Sequence, residues 1–417
     1  MGRSRTPEGR WHAAAVAAGL VGGDGALRPT IFAEMSALAT ETGAINLGQG
    51  YPDQDGPASV KEAARQAIAD GVNQYPPGRG NPELRQAIAE HQRRHYQIDL
   101  DPETEVLVTT GATEALAAAI LAFAQPGSTV VTLEPFYDAY AAMIAVAGAE
   151  HVRVPMRATA SGFSLDLGAL RSAITPTTSL MVLNSPHNPT GAVLSATELA
   201  ALAQLALEHD VVVITDEVYE HLTFDGATHI PMATLASMAE RTLTISSIGK
   251  TFSFTGWKIG WISGPAHLID AVQSVKQFLT YVSGAPFQPA AAHALNLETT
   301  EDAEASYVQD LAQSLAGRRD LLAAGLERAG LPIIPSQGTY FLVADASAIT
   351  AAAGLPDAAA LCRALPQLCG VVAIAMTAFT RPGSSVAQAV RHQVRFTFTK
   401  SEATLGAAVD RLQLLAR

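Results

Sequence analysis

The sequence predicts an α/β fold, with a large unit on a mostly parallel sheet and a smaller α+β unit. Three observations carry this. Short β-rich runs recur at residues 105–109, 129–133, 179–183, 211–215 and 242–246. Alanine- and leucine-rich helical stretches, such as 114–124 and 196–208, lie between several of them. Apolar strands alternating with helices indicate a largely parallel sheet covered on both faces. After about residue 297 the texture changes. A long helical stretch at 303–329 is followed by strand-like runs at 331–335 and 339–344, an alternating strand at 393–399 and a last helix from Ser401. This is the smaller lobe, and residues 35–57 are expected to pack with it, since a chain often returns to a lobe it left. Residues 382–385 read as a loop.

Bulk properties narrow the class. A chain of 417 residues suits two or three lobes. With 48% hydrophobic and 16% charged residues it is globular rather than disordered. A net charge of -12 without any Lys/Arg block argues against a nucleic-acid partner. Two cysteines, Cys362 and Cys369, make no disulfide framework and point to a reducing, cytoplasmic setting. No run of about 18 apolar residues occurs, so no membrane span is expected. Arg3, Arg5 and Arg10 precede an alanine-rich stretch at 13–21, a loose likeness to a secretory leader. Its weak hydrophobicity favours an N-terminal arm over residues 1–28, disordered or helical.

In open α/β sheets ligands gather at the carboxyl ends of the strands. Asp216 follows the run 211–215, and Asn184 and Asn188 follow 179–183. Ser247 and Lys250 follow 242–246, and Gly111, Ala112 and Thr113 follow 105–109 and open a helix. Four strand ends thus point at one place.

Lys250 stands in Ser247-Ile-Gly-Lys250-Thr-Phe, among glycine, serine and aromatics. Such a lysine is either an exposed loop charge or a buried Schiff-base nucleophile, since burial lowers the pKa of an amine. Lys258, eight residues on, is a second cation that could clamp a phosphate with Ser247, or a solvated edge charge. The small residues Gly111, Ala112 and Thr113 leave backbone N–H groups free to meet an anion, although many α/β turns look alike. Asp216 needs a partner: a protonated ring nitrogen, a buried ion pair or a metal. No His/Asp/Cys cluster at metal spacing is near it, so no metal is expected. Tyr219 could bond the same ligand or simply pack. The proline-punctuated turn Asn184-Ser-Pro-His-Asn188-Pro fixes the Asn188 amide. His187 is an acid/base candidate or a surface turn residue, and the latter is expected. Arg395, in Val394-Arg-Phe-Thr-Phe, is flanked by strand aromatics and suits a carboxylate, or faces solvent.

Together the motifs are more specific than any one alone. The set Asn188-Pro-Thr-Gly191, Asp216-Glu-Val-Tyr219, Ser247-Ile-Gly-Lys250, Gly256-Trp-Lys258 and Arg395-Phe resembles the class I/II aminotransferases of the aspartate aminotransferase fold. The resemblance runs from about Thr30 to the end. Ile45-Asn-Leu-Gly-Gln-Gly50-Tyr-Pro-Asp and Glu134-Pro-Phe-Tyr-Asp138 look like the kynurenine aminotransferase and glutamine transaminase branch. Pro186-His-Asn-Pro and Gly284-Ala-Pro-Phe-Gln288 look closest to the actinobacterial N-succinyl-diaminopimelate aminotransferases.

The resemblance implies the pyridoxal-phosphate-dependent transferase fold, with a seven-stranded sheet in a large domain, residues 61–297, and a small domain from 29–60 and 298–417. It implies a two-step transamination between an amino acid and a 2-oxo acid. Lys250 would carry pyridoxal 5'-phosphate and move the proton between Cα and C4′. Asp216 would pair with the pyridine nitrogen, Asn188 and Tyr219 with the 3′ oxygen, and Tyr137 would stack on the ring. Backbone at Ala112 and Thr113, with Ser247 and Lys258, would hold the phosphate. Tyr75 would reach the phosphate of a neighbouring subunit, which implies a homodimer with shared sites. Arg395 would bind the substrate α-carboxylate, near the Gly50 backbone.

Two departures bear on substrate. Residues 278–288, where aspartate-type enzymes supply a second arginine, hold no Lys or Arg, which argues against strict aspartate specificity. Ser283 stands where the kynurenine branch carries an aromatic, so a more open pocket is expected, suited to a long or acylated substrate. Arg79 is a candidate for a distal carboxylate. The substrate expectation is N-succinyl-LL-2,6-diaminopimelate with 2-oxoglutarate. The alternatives are a kynurenine/glutamine-type aminotransferase, a cysteine-S-conjugate β-lyase, and a ligand-sensing regulator, for which the first 28 residues look too short to hold a helix-turn-helix.

Overall fold

Successive residues of a strand face opposite sides of its sheet, and here both sides are apolar. Val130, Leu180, Val182, Ile214 and Ile245 enter one buried cluster, while Val131, Met181, Leu183 and Val213 enter another. This double burial is why the sequence shows continuous apolar runs instead of an alternation. The computed structural model describes residues 9–301 and 303–416.

After β1 (Ile45–Asn46) come β2 (Val106–Thr110), β3 (Thr129–Glu134), β4 (Glu150–Thr159), β5 (Gly162–Leu165), β6 (Thr178–Asn184), β7 (Val212–Asp216), β8 (Thr242–Ser247) and β9 (Ile259–Ser263). They form one sheet in the order β2-β9-β8-β7-β6-β3-β4-β5, without β1. Strands β3, β4, β6, β7 and β8 pair in parallel, and β9 runs antiparallel to both β2 and β8. Seven strands were expected; β5, a hairpin return from β4, adds an eighth at the edge. Helices Gly111–Phe123, Asp138–Ala147 and Ala266–Lys276 pack on one face through Leu116, Ile120, Ile144, Ile269 and Val272. Helix Ala196–Glu208 packs on the other through Leu199 and Leu202.

The later chain builds β10 (Ile333–Ile334), β11 (Phe341–Asp345), β12 (Val371–Val372), β13 (Ile374–Ala375) and β14 (Gln393–Thr397). Four of them form the antiparallel sheet β10-β11-β14-β13, and β1 pairs in parallel with β12. Leu47 N–H donates to Val372 O and Thr397 N–H donates to Leu47 O. Residues 45–47 therefore do pack with the C-terminal segment. Helix Ile31–Thr42 joins them, held by an Arg363–Glu34 ion pair of 2.9 Å.

Several boundaries differ from expectation for local reasons. The run 211–215 becomes Val212–Asp216, because Asp210 turns with positive φ and Val211 N–H closes onto Ala206 O. Asp216 is thus the last residue of its strand. The long helix is Tyr307–Arg328 rather than 303–329, since the Glu304 carboxylate accepts from the N–H groups of Ala58 and Ser59 and caps another helix. The strand expected from 339 starts at Phe341 because Thr339 has φ 67. The expected loop 382–385 ends on Ser384, whose hydroxyl accepts from Ala387 N–H and opens a short helix. In the arm, helix Arg10–Ala17 packs against helix Asp138–Ala147; residues 1–8 lie outside the described part. Among the described residues no helix is long and apolar enough to cross a membrane.

Candidate active site

Parallel strands end on the same edge, so their last residues and the turns after them share one rim. Asn184 ends β6, Asp216 ends β7 and Ser247 ends β8. A cavity of about 210 Å³ opens there, lined by Gly111, Ala112, Thr113, Tyr137, Tyr140, Asn184, Asn188, Asp216, Tyr219, Ser247, Lys250 and Lys258 among others. The expected cofactor residues of this chain therefore meet in one place, with the exception of Tyr75. That ring is 81% exposed and, among the described residues, meets one other ring, Tyr281, at 5.7 Å.

One end of the cavity is built for an anion. Strand β2 runs into helix Gly111–Phe123 through Gly111, whose φ is 71. Gly260 on the neighbouring β9 lies so close that a Cβ there would fall 2.6 Å from the Gly111 carbonyl carbon and 2.7 Å from Ala112 N. The helix dipole thus opens into the cavity with its backbone uncovered. A Cβ on Gly111 would sit 3.2 Å from Lys258 Nζ, so this ammonium lies over the helix start. Burial, then the charge of Lys250, depresses the Lys258 pKa. Two cations beside a helix N-terminus favour a bound dianion.

The other end is acidic and buried. Asp216 Oδ2 accepts from Tyr140 OH at 2.7 Å, but Oδ1 is buried without a hydrogen-bond partner. Burial pushes the carboxyl up to about 6, against the pull of the Tyr140 hydroxyl. A buried carboxylate oxygen without a partner is costly. Lys250, on the short helix Ile248–Thr251, lies between the rings of Tyr219 and Tyr340, at 5.9 and 5.7 Å.

A chain of hydrogen bonds joins this rim to the small sheet. Asn184 Nδ2 donates to Asp216 O at 2.7 Å, and Asn184 Oδ1 accepts from Asn188 N–H at 2.7 Å. Asn188 Oδ1 accepts from Arg395 at 2.8 Å, and the other guanidinium nitrogen donates to Gly48 O at 2.9 Å. Arg395 is 2% exposed, and its Nε lacks a partner. Burial brings it down to about 10, so it stays a cation at neutral pH. Gly50 lies beside it: its carbonyl accepts from Tyr340 OH at 2.6 Å, and a Cβ there would meet the Phe341 ring at 2.6 Å.

Three expectations need correction. The aromatics around Arg395 are Phe341, Phe379 and Phe32, with ring centres 3.9, 4.4 and 5.8 Å from the guanidinium, rather than its strand neighbour Phe396, which alternation turns to the opposite face. His187 is buried rather than a surface turn residue; it bonds Thr190 Oγ1 at 2.7 Å, and burial drives it down to about 3. Arg79 lies outside the cavity, paired with Asp270 and donating to Thr104 O. Sequence reasoning missed Tyr140, which sits three residues after Tyr137, one helical turn away on the same face.

Comparison with known proteins identifies the family. The model of the aminotransferase class I and II family matches residues 42–412. A Mycobacterium tuberculosis protein described as a probable N-succinyldiaminopimelate aminotransferase is 57% identical over 397 residues, covering 94% of this chain and 98% of that one. The solved structure of the Mycobacterium tuberculosis N-succinyldiaminopimelate aminotransferase superposes with a TM-score of 0.87 at 56% identity, over 93% of this chain and 97% of the other. Mouse kynurenine–oxoglutarate transaminase 3 is 41% identical over 337 residues, 78% of this chain and 74% of that protein. The chain is an aminotransferase and belongs to the class I and II family.

Proposed function

We propose that the chain holds pyridoxal 5′-phosphate in this cavity and transfers the amino group of N-succinyl-LL-2,6-diaminopimelate to 2-oxoglutarate, a step of lysine and diaminopimelate biosynthesis. The partnerless Asp216 Oδ1, buried in the same cavity as Lys250, carries the cofactor assignment. The residues present fit the group. Asp216 would hold the protonated pyridine nitrogen, Asn188 and Tyr219 the 3′ oxygen, and Tyr137 the ring face. Ala112 and Thr113 N–H, Ser247 and Lys258 would hold the phosphate. When bound, pyridoxal phosphate supplies an electron sink for the bonds at the substrate Cα.

The chain's own residues do the rest. Arg395 binds the α-carboxylate, and its buried charge is costly until a carboxylate arrives. Lys250 removes the Cα proton and serves as general base and acid across the transfer. Phe341 and Phe379 hold the guanidinium plane. Tyr219, Tyr340 and Tyr137 enclose the reacting centre and limit water.

Residues 61–297 would form the cofactor-binding domain, and 29–60 with 298–417 the small domain. Two copies would share their sites, each Tyr75 reaching the other's phosphate. Support comes from the apolar surface of Tyr75, Phe278, Leu279 and Tyr281, where Phe278 is 84% exposed.

The donor assignment rests on the Mycobacterium tuberculosis relative and on Ser283, whose hydroxyl pairs with Thr110 at 2.8 Å and leaves the position small. The mouse relative favours a second reading, a kynurenine- or glutamine-type donor. A steady-state screen of donors against 2-oxoglutarate tests both. Parallel double-reciprocal lines, with the highest kcat/KM for N-succinyl-diaminopimelate, are expected. A higher value for kynurenine or glutamine selects the second reading. Pyruvate and ammonia released from a cysteine S-conjugate without a 2-oxo acid reveal β-lyase chemistry. Full activity in Lys250→Ala overturns the cofactor assignment.

A further inference from the structure

Away from the cavity, the fold gathers three histidines from two distant parts of the chain. His91 and His95 lie four residues apart on helix Pro82–Tyr96, a spacing that places both on one face. His221 follows β7 by five residues, in the segment that also carries Tyr219. Each offers a ring nitrogen, and these donor atoms all lie within 4.8 Å of one another. The three ring centres are 4.6 to 4.9 Å apart. The rings meet tilted or edge to face, with interplanar angles of 48°, 84° and 69°, in a space that apolar side chains would fill at lower desolvation cost.

The surroundings orient two of the rings. Glu298 accepts from His95 Nε2 at 2.9 Å, which leaves the other ring nitrogen as a donor atom. Gln92 Nε2 lies 3.4 Å from His91 Nδ1, and His91 Nε2 meets His221 Nε2 at 2.7 Å, a hydrogen bond between the two rings that the ion would replace. Such a carboxylate contact to the outer nitrogen is what holds a metal-bound imidazole in place. His91 is buried, while His95 and His221 are only partly covered, so one side is open to solvent.

We propose that His91, His95 and His221 bind one divalent d-block cation such as Zn2+, with water in the fourth position. Imidazole nitrogens suit zinc, nickel and copper, whereas calcium and magnesium prefer oxygen. Zn–N bonds of about 2.0 Å set tetrahedral ligand atoms roughly 3.3 Å apart. The His91–His221 pair opens slightly to admit the ion, by rotation of the less covered ring. The bound ion clips helix Pro82–Tyr96 to the segment after β7. That segment also carries Tyr219, which stands two residues before His221 and lines the cavity, so the clip would brace one wall of it.

The test uses the full-length, untagged protein after dialysis against a chelator. Isothermal titration with Zn2+ should give about one equivalent per chain, and the melting temperature should rise about 3 °C at a hundredfold excess over Kd. Co2+ in its place should give visible ligand-field bands. His91→Ala and His95→Gln should each weaken binding by tenfold or more. His209→Ala, an exposed histidine elsewhere, should leave it unchanged. His95 is only partly buried, so His95→Gln should keep the wild-type circular dichroism even where His91→Ala disturbs packing. Absence of stoichiometric binding overturns the proposal. So does binding that His95→Gln leaves intact in a folded chain.

Discussion

The Arg395 guanidinium donates to Asn188 Oδ1 across 2.8 Å, and this single bond ties β14 of the small sheet to the rim of the large one. Asn188 is held in turn by Asn184, and Asn184 by the last residue of β7. Arg395→Lys keeps the charge and loses the planar fork that grips Asn188 and Gly48 together. We expect kcat/KM to fall about 100-fold, roughly 2.7 kcal/mol, mostly through KM. Steady-state kinetics checks this; a change under threefold removes Arg395 from carboxylate binding.

Tyr140 bonds only one oxygen of Asp216 and so helps to keep that carboxyl ionised. In Tyr140→Phe the Asp216 pKa should rise further and pyridoxal phosphate should bind about tenfold more weakly, near 1.4 kcal/mol. Fluorescence titration of the apoprotein with the cofactor measures this directly, and unchanged affinity would separate Tyr140 from the role.

The same carboxyl makes apoprotein stability depend on pH. Burial lifts Asp216 from 3.8 to about 6 in the folded chain. Between these values the folded state keeps a proton that the unfolded state has lost, so stability is fully present below about pH 4 and falls as pH rises through 6. The loss is on the order of 3 kcal/mol. Asp216→Asn removes it, so urea unfolding of the two apoproteins should diverge between pH 4.5 and 7.5, with the variant ahead at the higher pH. Parallel curves would refute the burial argument.

Gly260 lets β9 approach the start of the Gly111 helix. Gly260→Ala would press a methyl group against the Gly111 carbonyl and Ala112 N. The expected result is a loss of about 1–3 kcal/mol of stability and a weaker hold on phosphate. Thermal unfolding and competition by inorganic phosphate report the two effects separately.

The parts of the site legible in the sequence are those whose signal is local. Asp216, Asn188 and Lys250 stand next to apolar strands or in punctuated turns, and their place on the rim follows from the parallel sheet. The parts that escaped depend on partners far along the chain. Arg395 is sandwiched by Phe341 and Phe379, and no pattern around residue 395 announces either. Arg79 looked free until folding set Asp270 beside it. His91 and His95 carry a visible helical spacing, but His221 arrives only through the fold. The sequence runs missed β4, β5 and β9; β4 alternates polar and apolar residues along Glu150–Thr159, and β5, Gly162–Leu165, is the short return of its hairpin, so neither shows a continuous apolar run.

The pairing of β1 with β12 joins Ile45 to Val371, near opposite ends of the chain. During synthesis Ile45 leaves the ribosome long before its partner strand exists. The loop that supplies the Gly48 carbonyl to Arg395 therefore waits for almost the whole polypeptide. All strands of the large sheet end by Ser263, so they emerge before β12, and the Gly48–Arg395 contact is completed only after it. A chain stalled before residue 371 would contain Lys250 and Asp216 and still lack both Arg395 and the strand that docks β1.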